Sequence, residues 1–325
     1  MRKLKSLLIT GGAGFIGSAF VRSIATDARF DNCEKIFILD SLTYAGKIEN
    51  IQIALNDSRF EFIHGDINEI EILLKGLQAP DAVVHFAAES HVDRSISDGA
   101  PFINTNIVGS FKLVEWARIN KIGLFLHVST DEVYGSIEVG SATEESNLAP
   151  SSQYSASKAS SDLIVLANAH TFNQSVIVTR CTNNYGPYQD SEKLIPTIIR
   201  KAINDQKIPI YGSGLNVRDW LFVNDHVQAL ISILLNAEPG QILNISGDNE
   251  MSNLAVVNQI LEIIGKPTSL IEYVEDRKGH DMRYSLDSSK LKNLLSWKPQ
   301  IEFIHGLTQT IDWYKSQPDI RKVMV

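Results

Sequence analysis

The sequence predicts an α/β protein built on a doubly wound parallel sheet with a smaller C-terminal lobe, and three observations predict it. Apolar runs of strand length alternate with amphipathic stretches of helix length through the first half of the chain. Those runs are continuous in Val, Ile, Leu and Phe rather than alternating with polar residues, which suits strands covered on both faces. A glycine-rich turn, "TGGAGFIG", follows the first run at the point where a helix should begin.

In chain order the expected strands are "SLLIT" (6–10), "KIFILD" (35–40), "FEFIHGD" (60–66), "DAVVHFAA" (81–88), "LFLHVS" (124–129) and "SVIVTRC" (175–181). Helical stretches lie between them at 15–25, 106–120 and 154–171. After about residue 182 the rhythm loosens: a helix at 194–204, a strand "IPIYG", and helices at 225–236 and 253–264 are joined by loops rich in Gly, Asn and Asp. The expected division is therefore 1–182 as a dinucleotide-binding domain and 183–325 mainly as a second lobe, with some elements returning to the first. The absence of a flexible linker or low-complexity tract argues that the lobes pack tightly.

Composition narrows the partners. The 325 residues are 44% hydrophobic and 21% charged, ordinary for a globular protein, with a formal net charge of -8. That acidity argues against nucleic acid or an anionic membrane as a partner. No stretch approaches the apolar length of a membrane span, and the run after the basic N-terminus is too short for a signal peptide. Two cysteines, Cys33 and Cys181, cannot build a disulfide framework, so a cytoplasmic setting is expected. No metal site is expected.

The glycine turn supplies Gly11, Gly14 and Gly17, spaced for a tight turn, close approach of backbone to a pyrophosphate, and close helix–strand packing. Asp40 ends the second strand, where an acid accepts hydrogen bonds from an adenosine ribose and repels a 2'-phosphate; the implied cofactor is NAD rather than NADP. Asp66, at the end of the third strand, is a weaker candidate for the adenine side.

Two further patterns carry chemistry. "YSASK" puts Tyr154 and Lys158 one helical turn apart on one face, a phenol with a cation that can help it act as a base. "HVSTDEVYG" sets Asp131 and Glu132 side by side where the fifth strand runs out. Consecutive side chains of a continuing strand point oppositely, so both acids can face one site only if the strand ends at Ser129 and the chain turns. The carboxyl ends of such strands are where doubly wound sheets bind ligands.

Over nearly its whole length the chain resembles the nucleotide-sugar 4,6-dehydratases of the extended short-chain dehydrogenase/reductase family, whose sheet is of the Rossmann type. The resemblance runs through "TGGAGFIGSA", "LTYAG", "HFAAESHVDRSI", "NTNIVGS", "STDEVYG", "PSSQYSASKASSD", "NNYGPY", "EKLIP", "RDWLFVNDH" and "GHDMRY". It implies oxidation of a sugar at C4, elimination of water across C5 and C6, and reduction at C6, with tightly bound NAD regenerated in each turnover. The implied substrate is a nucleoside-diphosphate glucose, dTDP-glucose first, with uridine and cytidine left open as bases. Tyr154 is then the base at the 4-hydroxyl, Thr130 a hydrogen-bond partner of the reacting oxygen, Glu132 the base at C5 and Asp131 the acid at C6.

By the same resemblance, cofactor contacts fall on Phe15, Ile16, Leu42, Thr43, Ile67, Ala87 and Ala88, and further on at Ser90, Thr105, Ser129 and Asn183, beside Tyr154 and Lys158. Substrate contacts fall on Ser90, Thr130, Asn183, Lys193, Leu194 and Tyr211, then on Arg218, Asn253, Arg277, His280 and Tyr284. Arg218 and Lys193 suit a diphosphate, one as a fork and one as a point charge. His91 is read as structural. "QDS" at 189–191 departs from the His-Phe-Pro-like run common in the family, which removes an apolar wedge and a proline. A homodimer is implied, paired through the Tyr-Lys helix and the helix before the fifth strand; Phe111, Leu113, Val114 and Ile164 offer apolar area that periodicity cannot allocate between core and interface. The competing readings are a nucleotide-sugar 4-epimerase and a non-catalytic NAD-binding sensor.

Overall fold

The computed structural model describes residues 1–318. Its centre is a seven-stranded sheet, parallel throughout, made of β1 (Ser6–Thr10), β2 (Lys35–Asp40), β3 (Phe60–His64), β4 (Ala82–His85), β5 (Leu124–Thr130), β6 (Val176–Cys181) and β10 (Gln241–Ile245), in the order β10-β6-β5-β4-β1-β2-β3. The order reverses direction beside β1, so the loops after β1 and β4 part there and leave a crevice at the carboxyl edge. The strands are apolar on both faces because helices cover both. Leu7, Ile9, Ile38, Val84 and Leu126 bury into one layer, and Leu8, Leu39, Val83 and Phe125 into the other.

The remaining strands form two small sheets. β7 (Asn183–Tyr185), β9 (Val217–Phe222) and β11 (Glu250–Ser252) make a mixed three-stranded sheet in the order β11-β9-β7. β8 (Ile208–Tyr211) and β12 (Ile271–Val274) pair in parallel. A separate core of Ile198, Ile199, Val256, Ile260, Leu307 and Ile311 joins the Leu194–Ile203, Asn253–Ile264 and Phe303–Ser316 helices. Residues beyond 183 nevertheless serve both cores: β10 extends the large sheet beside β6, and the Val223–Asn236 helix packs its Val227, Leu230 and Leu234 into the first core.

The helix expected over 106–120 has two parts. Residues Ile103–Gly109 form a π-helix, and only Ser110–Ile119 is α-helical. Asn106 accounts for the wider turn: its side chain exchanges two hydrogen bonds with the Glu89 backbone, at 2.8 and 2.9 Å, and donates to Ser157 Oγ at 2.8 Å. A π-bulge of this kind is common beside functional sites, and here it ties the β4 loop to the Gln153–Phe172 helix. That long helix starts at a reciprocal cap, with Ser152 and Ser155 each bonding the other's backbone N–H at 3.0 Å. It stops at Asn173 in the left-handed conformation, φ 52°.

The Phe15–Thr26 helix leaves the sheet so steeply that a Cβ on Gly17 would stand 2.1 Å from the Gly11 carbonyl oxygen. Gly17→Ala should therefore force the helix off the turn and lower unfolding free energy by about 1–3 kcal/mol, the usual cost of overpacking. Urea denaturation measures it, and an unchanged midpoint would mean that the turn relaxes freely.

Candidate active site

The crevice at the carboxyl edge is a cleft of about 740 Å³. At one end the β1 turn lies open to it. Gly11 has φ +69°, and a Cβ there would meet the Ala87 backbone nitrogen at 2.5 Å, so only glycine lets the turn pass this close to the β4 loop. The start of the Phe15–Thr26 helix faces the same space, a surface suited to an anionic diphosphate. Asp40 closes this end. Its two oxygens accept from the N–H groups of Ala13 and Leu42, each at 2.9 Å, while the carboxylate still borders the cleft. Burial raises its pKa and those N–H bonds oppose the rise. Leu42 itself, with φ 50°, turns the chain rather than lining the cleft.

Of the residues singled out in the sequence, Gly14, Phe15, Ile16, Thr43, Asp66 and Ile67 line this end. Ala87, Ala88, Ser90, Thr105, Ser129 and Asn183 line the middle.

At the other end stand the two acids. β5 runs through Thr130, one residue further than expected, and then tightens into a 3-10 turn over Asp131–Tyr134. Thr130 caps the turn, its Oγ1 accepting from the Glu132 N–H at 3.3 Å and donating to Asp131 Oδ1 at 3.1 Å. The tight turn breaks the strand's alternation, and both carboxyl groups border the cleft. Their surroundings differ. Asp131 is 3% exposed, and among the described residues none bonds its Oδ2. Burial holds its carboxyl well above the ordinary range, and Glu132 pushes it further. Burial also raises Glu132, but that residue is half-buried, and Lys193, Arg218 and Arg277 pull it back down. The turn thus carries one carboxyl biased to the acid form and one nearer to a carboxylate, the arrangement that acid–base division of labour requires.

Tyr154 and Lys158 reach the cleft from the Gln153–Phe172 helix. Lys158, 4% exposed, donates to the Val128 carbonyl at 2.9 Å. Burial lowers its pKa and Asp162 opposes this. The Tyr154 phenol is held well above 10, by burial first and then by Glu132, with a hydrogen bond from Thr130 acting the other way. Both causes favour the neutral phenol, and a positive charge entering the cleft would favour its ionisation.

Lys193 lines the cleft and donates to the Ser90 carbonyl at 2.6 Å. Arg218, Asn253, Tyr211, Arg277, His280, Tyr284 and Leu194 lie outside the cleft wall. Arg218 stacks 4.3 Å from the Tyr284 ring and donates to the Val217 and Asp281 carbonyls at 2.7 and 2.9 Å, two bonds that orient its guanidinium. Arg277 pairs with Asp93 at 3.3 Å and His280 with Asp276 at 2.7 Å. Tyr211 is 40% exposed. The Asn253 side-chain Oδ1 is buried with no hydrogen-bond partner among the described residues. His91 lies 3.4 Å from Glu192, which also receives Arg94 at 2.6 Å.

The departing "QDS" segment is fastened by polar bonds in place of an apolar wedge. Gln189 donates to the Asn184 carbonyl at 2.8 Å, Tyr314 donates to the Gln189 carbonyl, and Asp190 accepts from the Glu192 N–H at 2.9 Å. Gln189 and Asp190 border the cleft, and so do Pro101, Asn104, Asn184 and Cys181, four residues that the sequence reading did not place there. For Cys181 a signal existed, since it ends the strand next to β5. Among the described residues no group of three or more His, Cys, Asp or Glu side chains could hold a metal ion, and no helix is long and apolar enough to cross a membrane.

Comparison with known proteins fits this geometry. Residues 8–310 match the family model described as GDP-mannose 4,6 dehydratase. The chain belongs to this family. It is 47% identical to a dTDP-glucose 4,6-dehydratase of Actinoplanes sp., over 95% of this chain and 98% of that one. Among solved structures, the dTDP-glucose 4,6-dehydratase DesIV of Streptomyces venezuelae, crystallised with NAD, superposes with a TM-score of 0.92 at 45% identity, covering 96% of this chain and 97% of that one. A UDP-glucose 4-epimerase of Thermotoga maritima has the same fold, TM-score 0.87, but only 27% identity over 95% of this chain and 98% of that one.

The raised pKa of Asp131 carries a stability consequence. A carboxyl whose folded pKa exceeds its unfolded value favours folding most when pH lies below the unfolded value, near 3.8, and that contribution is lost as pH rises through the folded value. Asp131→Asn, which cannot ionise, should melt higher than the parent at pH 8, and the gap should close towards pH 4. Thermal melts across that range test this; equal melting at both ends would place Asp131 in contact with water.

Proposed function

We infer that this chain is an NAD-dependent hydro-lyase that converts dTDP-glucose to its 4-keto-6-deoxy product. The observation that carries the reading is a glycine-turn cradle and two unlike carboxyl groups opening into one cleft that Tyr154 and Lys158 also line. NAD fits the cradle: the glycine turn and helix start suit its diphosphate, and Asp40 suits an unphosphorylated ribose. When bound, NAD supplies a two-electron acceptor for C4, a donor for C6 and a positive charge in the cleft.

The protein's own groups do the rest. Tyr154 takes the 4-hydroxyl proton, and Thr130 donates a hydrogen bond to the same oxygen as it becomes a ketone. The ketone acidifies C5. Glu132, whose burial-driven rise in pKa is opposed by Lys193, Arg218 and Arg277, takes the C5 proton. Asp131, biased to its protonated form, gives its proton to the departing C6 hydroxyl, and water leaves. A proton returned to C5 completes the sequence. An epimerase needs the first step but has no use for this acid–base pair. Residues 1–182 form the cofactor-holding part in this reading, and the segment after 183 mainly the sugar-nucleotide part, with β10 and the Val223–Asn236 helix belonging to the former.

We also propose a homodimer. Ile103, Phe111, Leu163 and Phe172, all on or beside the two helices expected to pair, are 56%, 49%, 58% and 51% exposed, a concentration of apolar surface that suits burial against a second copy. Leu113 and Val114 belong to the core, and Ile164 packs against it. Both cysteines are free and buried, which suits a reducing compartment, and we assign the cytoplasm.

The test is conversion of dTDP-glucose deuterated at C4 by protein carrying NAD. Deuterium should appear at C6 of a 4-keto product; its return to C4 would indicate epimerisation, and no movement a sensor. Asp131→Asn should slow water loss by about 10²- to 10⁴-fold while C5 exchange with solvent persists, and Glu132→Gln should abolish that exchange. Light scattering should give a dimer, reduced to monomer by Leu163→Glu with Phe111→Glu. A parent protein that is monomeric at micromolar concentration would overturn the assembly.

A further inference from the structure

Behind the reacting residues lies a charged cluster that the sequence of steps above leaves unused. The Gln153–Phe172 helix carries Tyr154, Lys158 and Asp162 at successive turns, hence along one face. Asp162 is fully buried. Its Oδ2 accepts from Arg180 Nε on β6 at 2.9 Å, and its Oδ1 lies 3.3 Å from His127 Nε2 on β5. Arg180 is anchored independently of Asp162. It donates to the Tyr134 hydroxyl at 2.7 Å, and that hydroxyl donates to Asn244 on β10 at 2.9 Å. The cluster therefore joins the Tyr-Lys helix, three strands and the turn that carries Asp131 and Glu132.

Lys158 needs an anion, because an ammonium group this deep in the protein is costly unless paired. Its hydrogen bond to the Val128 carbonyl supplies a dipole and no charge. The titratable groups that face it are Tyr154 and Asp162 from its own helix, His85 on β4, His127 on β5 and Cys181 on β6. Burial keeps both histidines towards the neutral form and pushes the Cys181 thiol up. Burial works against the charge on Asp162, but Arg180, paired with it at 2.9 Å, helps hold its pKa below the ordinary value, and Asp162 is the anion of the set.

We propose that Asp162 is a positioning residue of the reaction, a buried carboxylate that keeps Lys158 charged so that Lys158 can assist the ionisation of Tyr154. The Asp162–Arg180 pair is then more than a structural bridge. Arg180 holds the carboxylate in place and, as a second cation, competes with Lys158 for it. This inference rests on the dehydratase reading for the step it serves.

The experiment uses the NAD-loaded protein with dTDP-glucose and follows the pH dependence of C4 oxidation in a single turnover. In parallel, the tyrosinate absorbance of Tyr154 is titrated without sugar, as the difference from the Tyr154→Phe protein. Asp162→Asn removes the anion, and Asp162→Asn with Arg180→Gln removes both charges so that no buried cation is stranded. In Asp162→Asn, loss of the carboxylate favours deprotonation of Lys158, and the alkaline limb should fall by about one pH unit; in the double variant, loss of the Arg180 charge works the other way and the fall should be smaller. The tyrosinate signal should emerge at higher pH by a similar amount. An Asp162→Asn protein that melts like the parent and keeps both profiles would make Asp162 a structural partner of Arg180 and overturn the proposal. Should neither Asp162 variant fold, Arg180→Gln decides, because removing the competing cation should move the alkaline limb upward; an unmoved or lowered limb overturns the proposal. If the parent protein forms no keto sugar, the dehydratase reading fails on its own, while the tyrosinate titration still reports on Asp162.

Discussion

Desolvation at the carboxyl edge of the parallel sheet is the constraint on which the rest of the site depends. All seven strands of the large sheet run the same way, so their ends meet on one edge, and helices on both faces keep water from the interior behind it. Groups placed there titrate far from their ordinary values. Asp40, Asp131, Glu132, Tyr154 and Cys181 are raised and Lys158 is lowered, and in each case burial is the leading cause. A sheet of mixed direction would spread these residues over two edges and leave each in water.

Within that common field, small differences in placement decide roles. Asp131 and Glu132 are neighbours in the chain, yet one is almost fully covered while the other stands half-buried towards Lys193 and Arg218. The 3-10 turn and its Thr130 cap produce this difference by rotating consecutive side chains into the same cleft. The Tyr-Lys helix supplies the opposite case, where a turn of spacing places a phenol and an ammonium together while burial works against the charged form of each.

The wall opposite the sheet is held by surface ion pairs. The short Val92–Ser97 helix links Arg94 to Glu192 and Asp93 to Arg277, and Arg94 also covers the Tyr44 ring at 3.9 Å. Exposed pairs of this type contribute little individually. Together they bring the segments around residues 44, 192 and 277, which covalent connectivity leaves far apart, onto the Val92–Ser97 helix. The polar fastening of Gln189 and Asp190 serves the same end on the adjoining loop.

How much of this could be read from the chain follows from the range of the forces involved. The sheet strands and the helices beginning at Phe15 and Asn253 were legible because burial on both faces, or on one face of a helix, imposes a local pattern. Gly11, Gly17, Asp40, Tyr154 and Lys158 were legible because a turn, a strand end and a helical repeat are local geometries. The π-helix at Ile103–Gly109 was not, since it depends on Asn106 reaching the Glu89 backbone and Ser157. Nor was the return of β10 to the large sheet, whose pairing with β6 spans a separate lobe. The sequence by itself determined which chemical groups stand at which strand ends and helical turns. Only the tertiary structure decided which of them lose water, that Arg218 is oriented by the Val217 and Asp281 carbonyls, and that Asp162 pairs with Arg180, because desolvation and charge pairing are set by neighbours distant in the chain.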